Sequence, residues 1–259
     1  MGAWAHGRVR RVVRASTGRS RAAVVGALLL CANAPMRPCA AQAPRYEAAQ
    51  FACTSFDVRV STTVTTEMEG RRRIEMLRRD GRLLVQGTPG DSGIMIEAWW
   101  DSLTLSRRAD GATLAPDASG MLGGRYRGEL TPAGRFTRTV APWVPDDVAE
   151  VSDLSLALDD LFPNFTLGTM RSLTDSAHVR RWRLTSSKGT DAPPTPERPF
   201  AVHESEGSDG VLAWGREGLL SWVRQVTAET RVAEAPRRAF RSELAQKIEL
   251  RRVGSCTAR

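Results

Sequence analysis

From Phe56 to Met68 the chain alternates without interruption. Phe56, Val58, Val60, Thr62, Val64 and Met68 share one parity; Asp57, Arg59, Ser61, Thr63, Thr65 and Glu67 share the other. Successive side chains of a strand point to opposite faces, so this pattern writes a strand with one face toward a core and one toward water. Such a strand needs antiparallel neighbours, and the sequence supplies candidates at short intervals. Glu69-Gly70 breaks the run. Residues 73–79 and 82–86 then flank Asp80-Gly81, the pair favoured in two-residue hairpin turns, which predicts a hairpin there. Ile94, Ile96, Ala98 and Trp100 alternate again and lead through Leu103 and Leu105 to a second such pair, Asp110-Gly111. Further strands are expected at 177–185, 200–206, 211–214 and 219–232, with 188–199 as an exposed loop. The spacing of turn residues suits a sandwich or barrel rather than βαβ units. At 240–250, Phe240, Leu244, Ile248 and Leu250 alternate with polar residues. Phe240, Leu244 and Ile248 also fall at helical spacing, but the alternation through Arg251 favours a strand.

The middle of the chain changes period. Residues 126–130 and 136–140 flank Thr131-Pro132-Ala133-Gly134, where proline presets a turn angle and glycine takes the left-handed position, giving a β-hairpin. Beyond Pro142 and Pro145, the apolar residues Val148, Val151, Leu154, Leu158 and Leu161 recur three or four apart, the spacing of one helical face. Asp146 and Asp147 suit a helix N-terminus, and Pro163 stops the run. One amphipathic helix over roughly 147–161 must cover something, and a sheet is the available partner. The expected fold is therefore mainly β: a curved antiparallel sheet forming an open or nearly closed barrel, with one amphipathic helix packed against it.

The first 43 residues read as a signal peptide. Arg8, Arg10, Arg11, Arg14, Arg19 and Arg21 lead into an apolar run of 11 residues, 22–32, and Ala41-Gln42-Ala43 places cleavage after Ala41 or Ala43. That run is too short to span a bilayer, which takes about 20 residues. Leu30 and Pro38 precede Cys31 and Cys39, where lipid attachment asks for a small residue. Residues 44–259 remain, as a single β-rich domain in the periplasm or outside the cell. With Arg37, the leader holds seven basic residues and no acidic one. The chain's 37 basic residues less these seven leaves 30 against 29 acidic, a net charge of +1. The basic excess of the whole chain thus belongs to the leader, and no nucleic-acid surface is expected. Arg71-Arg72-Arg73 and Arg237-Arg238 read as solvated strand ends that discourage sheet-to-sheet pairing.

Two cysteines remain after cleavage, Cys53 before the first long strand and Cys256 after the last. In an oxidising compartment an even count points to bridging, and a bridge needs the α-carbons within about 7 Å. A Cys53–Cys256 disulfide therefore predicts that the first and last strands lie side by side, closing or nearly closing the sheet.

Catalytic constellations are missing. Gly90-Asp91-Ser92-Gly93 matches the run around the nucleophile of trypsin-like proteases, but no histidine precedes Ser92 after the leader, and a serine needs a base in reach. The reading is a turn, with a serine hydrolase as the alternative. His178 and His203 form no ligand pair, so neither metal nor cofactor is expected. Glu204, Glu206 and Asp209 follow no calcium-loop spacing. The aromatic residues offer more. Trp182 with Leu184, and Leu220 with Trp222, occupy alternate strand positions and can line a barrel interior together with Trp100 and the helix residues Leu154 and Leu158. Barrels of this size fill that space with side chains or hold one apolar ligand.

The order of hairpin, Thr-Pro-x-Gly turn, helix, Leu161-Phe162-Pro163 and Leu167-Gly168, over roughly 123–184, resembles a family of exported bacterial β-rich domains, many of them lipoproteins, with no assigned activity. The resemblance implies an architecture similar to the lipoprotein-carrier type of half-open barrel, in which a curved sheet wraps a helix. The functional expectation is a non-enzymatic envelope protein that binds an apolar small molecule, a lipid or an envelope protein. The alternative is a structural or protein-interaction module with a filled core.

Overall fold

The computed structural model describes residues 43–151, 158–176, 178–195, 200–234 and 238–256. The signal-peptide reading and Leu154 lie outside these residues. The strands are β1 (Thr54–Met68), β2 (Arg71–Pro89), β3 (Ile94–Ala109), β4 (Ala112–Leu114), β5 (Tyr126–Leu130), β6 (Phe136–Val140), β7 (Thr169–Asp175), β8 (Val179–Ala192), β9 (Ala201–Gly215), β10 (Gly218–Glu234) and β11 (Arg238–Ser255). All eleven belong to one antiparallel sheet, ordered β6-β5-β3-β2-β1-β11-β10-β9-β8-β7, with β4 beside β3. The alternating segment is β1, hydrogen-bonded on both sides. Its turn to β2 uses Glu69 at φ 53° and Gly70 at φ 75°. Positive φ at both central residues is what matches the right-handed twist of the flanking strands. Asp110 and Gly111 repeat this geometry between β3 and β4.

Cys53 and Cys256 are bonded, with α-carbons 5.1 Å apart across 203 positions of sequence. The first and last strands do lie side by side, from Thr54 opposite Ser255 to Met68 opposite Phe240. Their pairing does not close the sheet, however. It forms the middle of the sheet, whose free edges are β6 and β7, so the barrel is open.

Three local expectations give way. Asp80-Gly81 is no turn, because β2 runs straight through it, pairing Gly81 with Val58 on one side and Leu103 on the other. A Cβ on Gly81 would sit 3.0 Å from the Trp100 ring and 2.3 Å from the Ser102 carbonyl oxygen, so the glycine makes room inside the sheet. Residues 200–206 and 211–214 are one strand, β9, and β8 extends to Ala192 into the expected loop. The long ladder between β8 and β9 outweighs the weak strand preference of Ser, Lys, Gly and Asp there.

The helical segment appears as α1 (Asp146–Val151) and α2 (Leu158–Leu161). Residues 152–157 lie outside the described set, so a single continuous helix is not established. Val148, Leu158 and Leu161 are buried, as the apolar stripe required.

Aromatic contacts measure how far the sheet curls. The Phe162 ring lies 6.0 Å from Phe136 of β6 and 5.7 Å from Phe56 of β1. Tyr46 lies 6.5 Å from Phe162 and 5.0 Å from Trp214 of β9. The strands β6 and β9 are seven places apart in the sheet, about 34 Å if it were flat. Two intervening rings join them here, so the sheet wraps around an aromatic cluster. Backbone hydrogen bonds tie the cluster down: Tyr46 N–H to the Pro132 carbonyl, and Phe165 N–H to the Ala133 carbonyl. Gly134, at φ 88°, lets the chain pass, since a Cβ there would lie 2.2 Å from the Pro163 carbonyl oxygen.

Candidate functional site

Residues directly opposite one another in an antiparallel pair share a face, so register defines the inner surface of the sheet. One row runs Gly81, Val58, Leu250, Trp222, Leu212, Trp182 across β2, β1, β11, β10, β9 and β8. The Trp222 ring crosses the neighbouring strand at Gly210, where a Cβ would come within 2.2 Å of it. Trp100 lies over Gly81 in the same manner, so two indoles rest on two glycines on either side of the β1–β11 pair. Trp100, Trp182, Leu184, Trp222 and Leu158 are all buried on this surface. Leu220 is not with them. A register shift between Leu219 and Ser221 turns Leu219 into the core and leaves Leu220 half-buried at the base of the sheet.

The indole N–H groups of Trp100 and Trp222 are buried without a hydrogen-bond partner among the described residues. Trp100 is close enough to the Tyr126 hydroxyl to influence it, although not in good hydrogen-bond geometry. Burial raises the Tyr126 pKa, and Trp100 and Arg79 oppose that rise.

Above this packed base the same face continues upward along β1, β11 and β10. Val60 faces Ile248; Thr62 faces Gln246 and, beyond it, Val226; Val64 faces Leu244 and Ala228; Met68 faces Phe240 and Val232. From Val60 to Met68 this track is about 26 Å long, and three strands make it about 10 Å wide. The Gln246 amide donates to the Thr62 hydroxyl, keeping the polar members of the track satisfied within it. Charged residues border it: Arg107 pairs with Glu75 at 2.6 Å, Lys188 with Glu206 at 2.7 Å, and Arg224 donates to the Ser208 hydroxyl.

Ser92 has a different occupation from the one its motif names. Its hydroxyl donates to Glu129 Oε1 at 2.5 Å, and its backbone N–H donates to the same oxygen at 3.1 Å. These hydrogen bonds hold the Glu129 carboxyl below the ordinary glutamate range. Neither histidine is placed beside Ser92: His203 Nδ1 meets Asp191 at 2.6 Å on the β8–β9 ladder, and His178 lines a cleft at the start of β8. Glu204 and Glu206 point to one face of β9 and Asp209 to the other, where Arg183 binds it. Among the described residues no group of three or more side chains is arranged to hold a metal, and no helix is long and apolar enough to cross a membrane.

The aromatic cluster escaped sequence reasoning. Tyr46, Phe51, Phe162 and Phe165 come from segments more than a hundred residues apart and follow no shared period. Phe162-Pro163 after the apolar helical run was the one local signal that something bulky ends there. Comparison with known proteins adds no identity: no family model matches the chain, and no curated protein does.

Proposed function

We propose that this is a non-enzymatic protein of the cell envelope, exported and clasped by its disulfide, that holds an apolar ligand or lipid along the inner face of its open sheet. One observation carries the reading. The apolar face does not stop where the aromatic cluster ends but continues from Val60 and Ile248 through Val64 and Leu244 to Met68 and Phe240. A surface strip of that length, mostly half-buried and bordered by paired charges, suits a chain-like apolar molecule. The absence of a histidine beside Ser92 supports the non-enzymatic part of the proposal, and so does the resemblance to exported β-rich domains.

Native mass spectrometry of the purified protein, with titration of a lipophilic dye, tests the reading. Saturable dye binding is expected, weakened about tenfold by Leu244→Glu, which places a charge in the middle of the track. No co-purified ligand and no saturable dye binding would remove the ligand. The filled-core interaction module would then be the better account, one supported by the packing of Phe162 against Phe51, Phe56 and Phe136.

A further inference from the structure

A second cleft opens at the opposite end of the strands from Met68 and Phe240, where β8 begins and β9 turns into β10. Its volume is about 600 Å³, and its lining includes His178, Arg180, Trp214, Arg216, Glu217 and Leu220. That size lies within the range of about 300–1,000 Å³ typical of small-molecule sites. The floor is apolar and built by a specific device. The register shift between Leu219 and Ser221 ejects Leu220 from the ladder, and its side chain settles over Gly215, where a Cβ would meet it at 2.9 Å. Bulges of this kind re-aim a side chain, and they concentrate beside functional sites. Trp214 forms the rest of the floor, its position fixed from behind by Tyr46 and Phe165.

Charge around the cleft is unbalanced. Asp175 is engaged by Arg180 at 3.0 Å, and Glu217 by Arg252 at 3.5 Å. Arg216 and His178 have no hydrogen-bond or ion-pair partner among the described residues. Both acids nearby are therefore already answered, while a guanidinium with a planar fork of donors is not. Such a fork matches a carboxylate in two parallel hydrogen bonds.

We propose that this cleft binds a small organic carboxylate with an aromatic or branched apolar body, the carboxylate on Arg216 and the body against Trp214 and Leu220. The site is independent of the apolar track and stands or falls separately from it.

Fluorine NMR of the whole protein labelled with fluorotryptophan provides the test, with the Trp214 resonance assigned from Trp214→Phe. Hydrocinnamate is expected to shift that resonance saturably, with a Kd of about 1 mM or tighter. The neutral hydrocinnamamide and the Arg216→Gln variant are each expected to weaken binding about tenfold, the value of one charge-assisted hydrogen bond. Leu220→Asp is expected to remove saturation altogether. The assignment is overturned if hydrocinnamate gives no saturable shift, if the amide binds as well as the acid, or if Arg216→Gln changes nothing. Movement of the Trp100 and Trp222 resonances in place of Trp214 would also overturn it, placing the molecule on the inner face.

Discussion

The two ends of the same strands live in different environments. At the base, Phe56 and Val58 of β1 are 1% exposed, whereas Met68, at the far end of the same alternation, is 57% exposed. The backbone pairing runs through both halves, with β1 laddered to β2 and β11 along its length and one register shift, between Ser55 and Phe56, at the base. What differs is the cover. The base is roofed by residues 46–51 and 158–165, and the upper half is bordered by cross-strand ion pairs such as Lys188 with Glu206 at 2.7 Å. Exposed pairs of this kind contribute about 0–1 kcal/mol each. Strand formation and core formation are thus separable here: alternation dictates the first, and a roof from elsewhere in the chain dictates the second.

The sharpest way to break this contrast is to truncate one large side chain in each half. Phe162→Ala removes the ring that Tyr46, Phe51, Phe56 and Phe136 surround and is expected to cost about 3–5 kcal/mol. Leu244→Ala, half-buried on the open track, is expected to cost about 1 kcal/mol. Guanidinium unfolding of both variants reads the difference, and equal losses would mean that the upper half is packed as tightly as the base.

Two glycines of β9 make a finer comparison on a single strand. Gly210→Ala forces a methyl to within 2.2 Å of Trp222 and is expected to cost about 1–3 kcal/mol. Gly207 faces only the Thr227 hydroxyl, at 3.3 Å, so Gly207→Ala should stay within about 0.5 kcal/mol of the parent in the same assay.

The smallest expected effect concerns Glu129. Its folded-state pKa is lowered by the Ser92 hydrogen bonds, so its contribution is present above the unfolded value of about 4.3 and is lost as pH falls through the folded value. Stability measured from neutral pH downward should therefore fall less steeply in Glu129→Gln than in the parent. An unchanged acid limb would show that the Ser92 contact does not couple to folding.

Much of the scaffold was legible because its signals are local. The period of β1, the break at Glu69-Gly70, the turn at Asp110-Gly111 and the Thr131–Gly134 turn each depend on neighbours in sequence. The Cys53–Cys256 bond was legible for another reason: once the first 43 residues are read as a leader only two cysteines remain, and there is a single way to join them. Asp80-Gly81 misled because glycine has two uses, and at Gly81 it serves a tryptophan from the next strand rather than a turn. The inner-face positions of Trp100, Trp182, Leu184 and Trp222 could be read from parity. Leu220 could not, since a register shift reverses parity without marking the sequence. The thinly apolar β7 carries little strand signal and takes its structure from pairing with β8.

The β1–β11 ladder sets the timetable by which this molecule is made. The strand β1 has to wait for β11, so no ribosome-attached portion short of residue 255 can complete the middle of the sheet. Until Cys256 follows, Cys53 lacks the partner it has in the fold, and one flank of β1 is a bare row of amide and carbonyl groups exposed to wrong partners. Contacts bridging some 200 positions are slow to find, and such delays leave a nascent chain open to aggregation. A sheet knit this way completes its middle only once β11 has emerged.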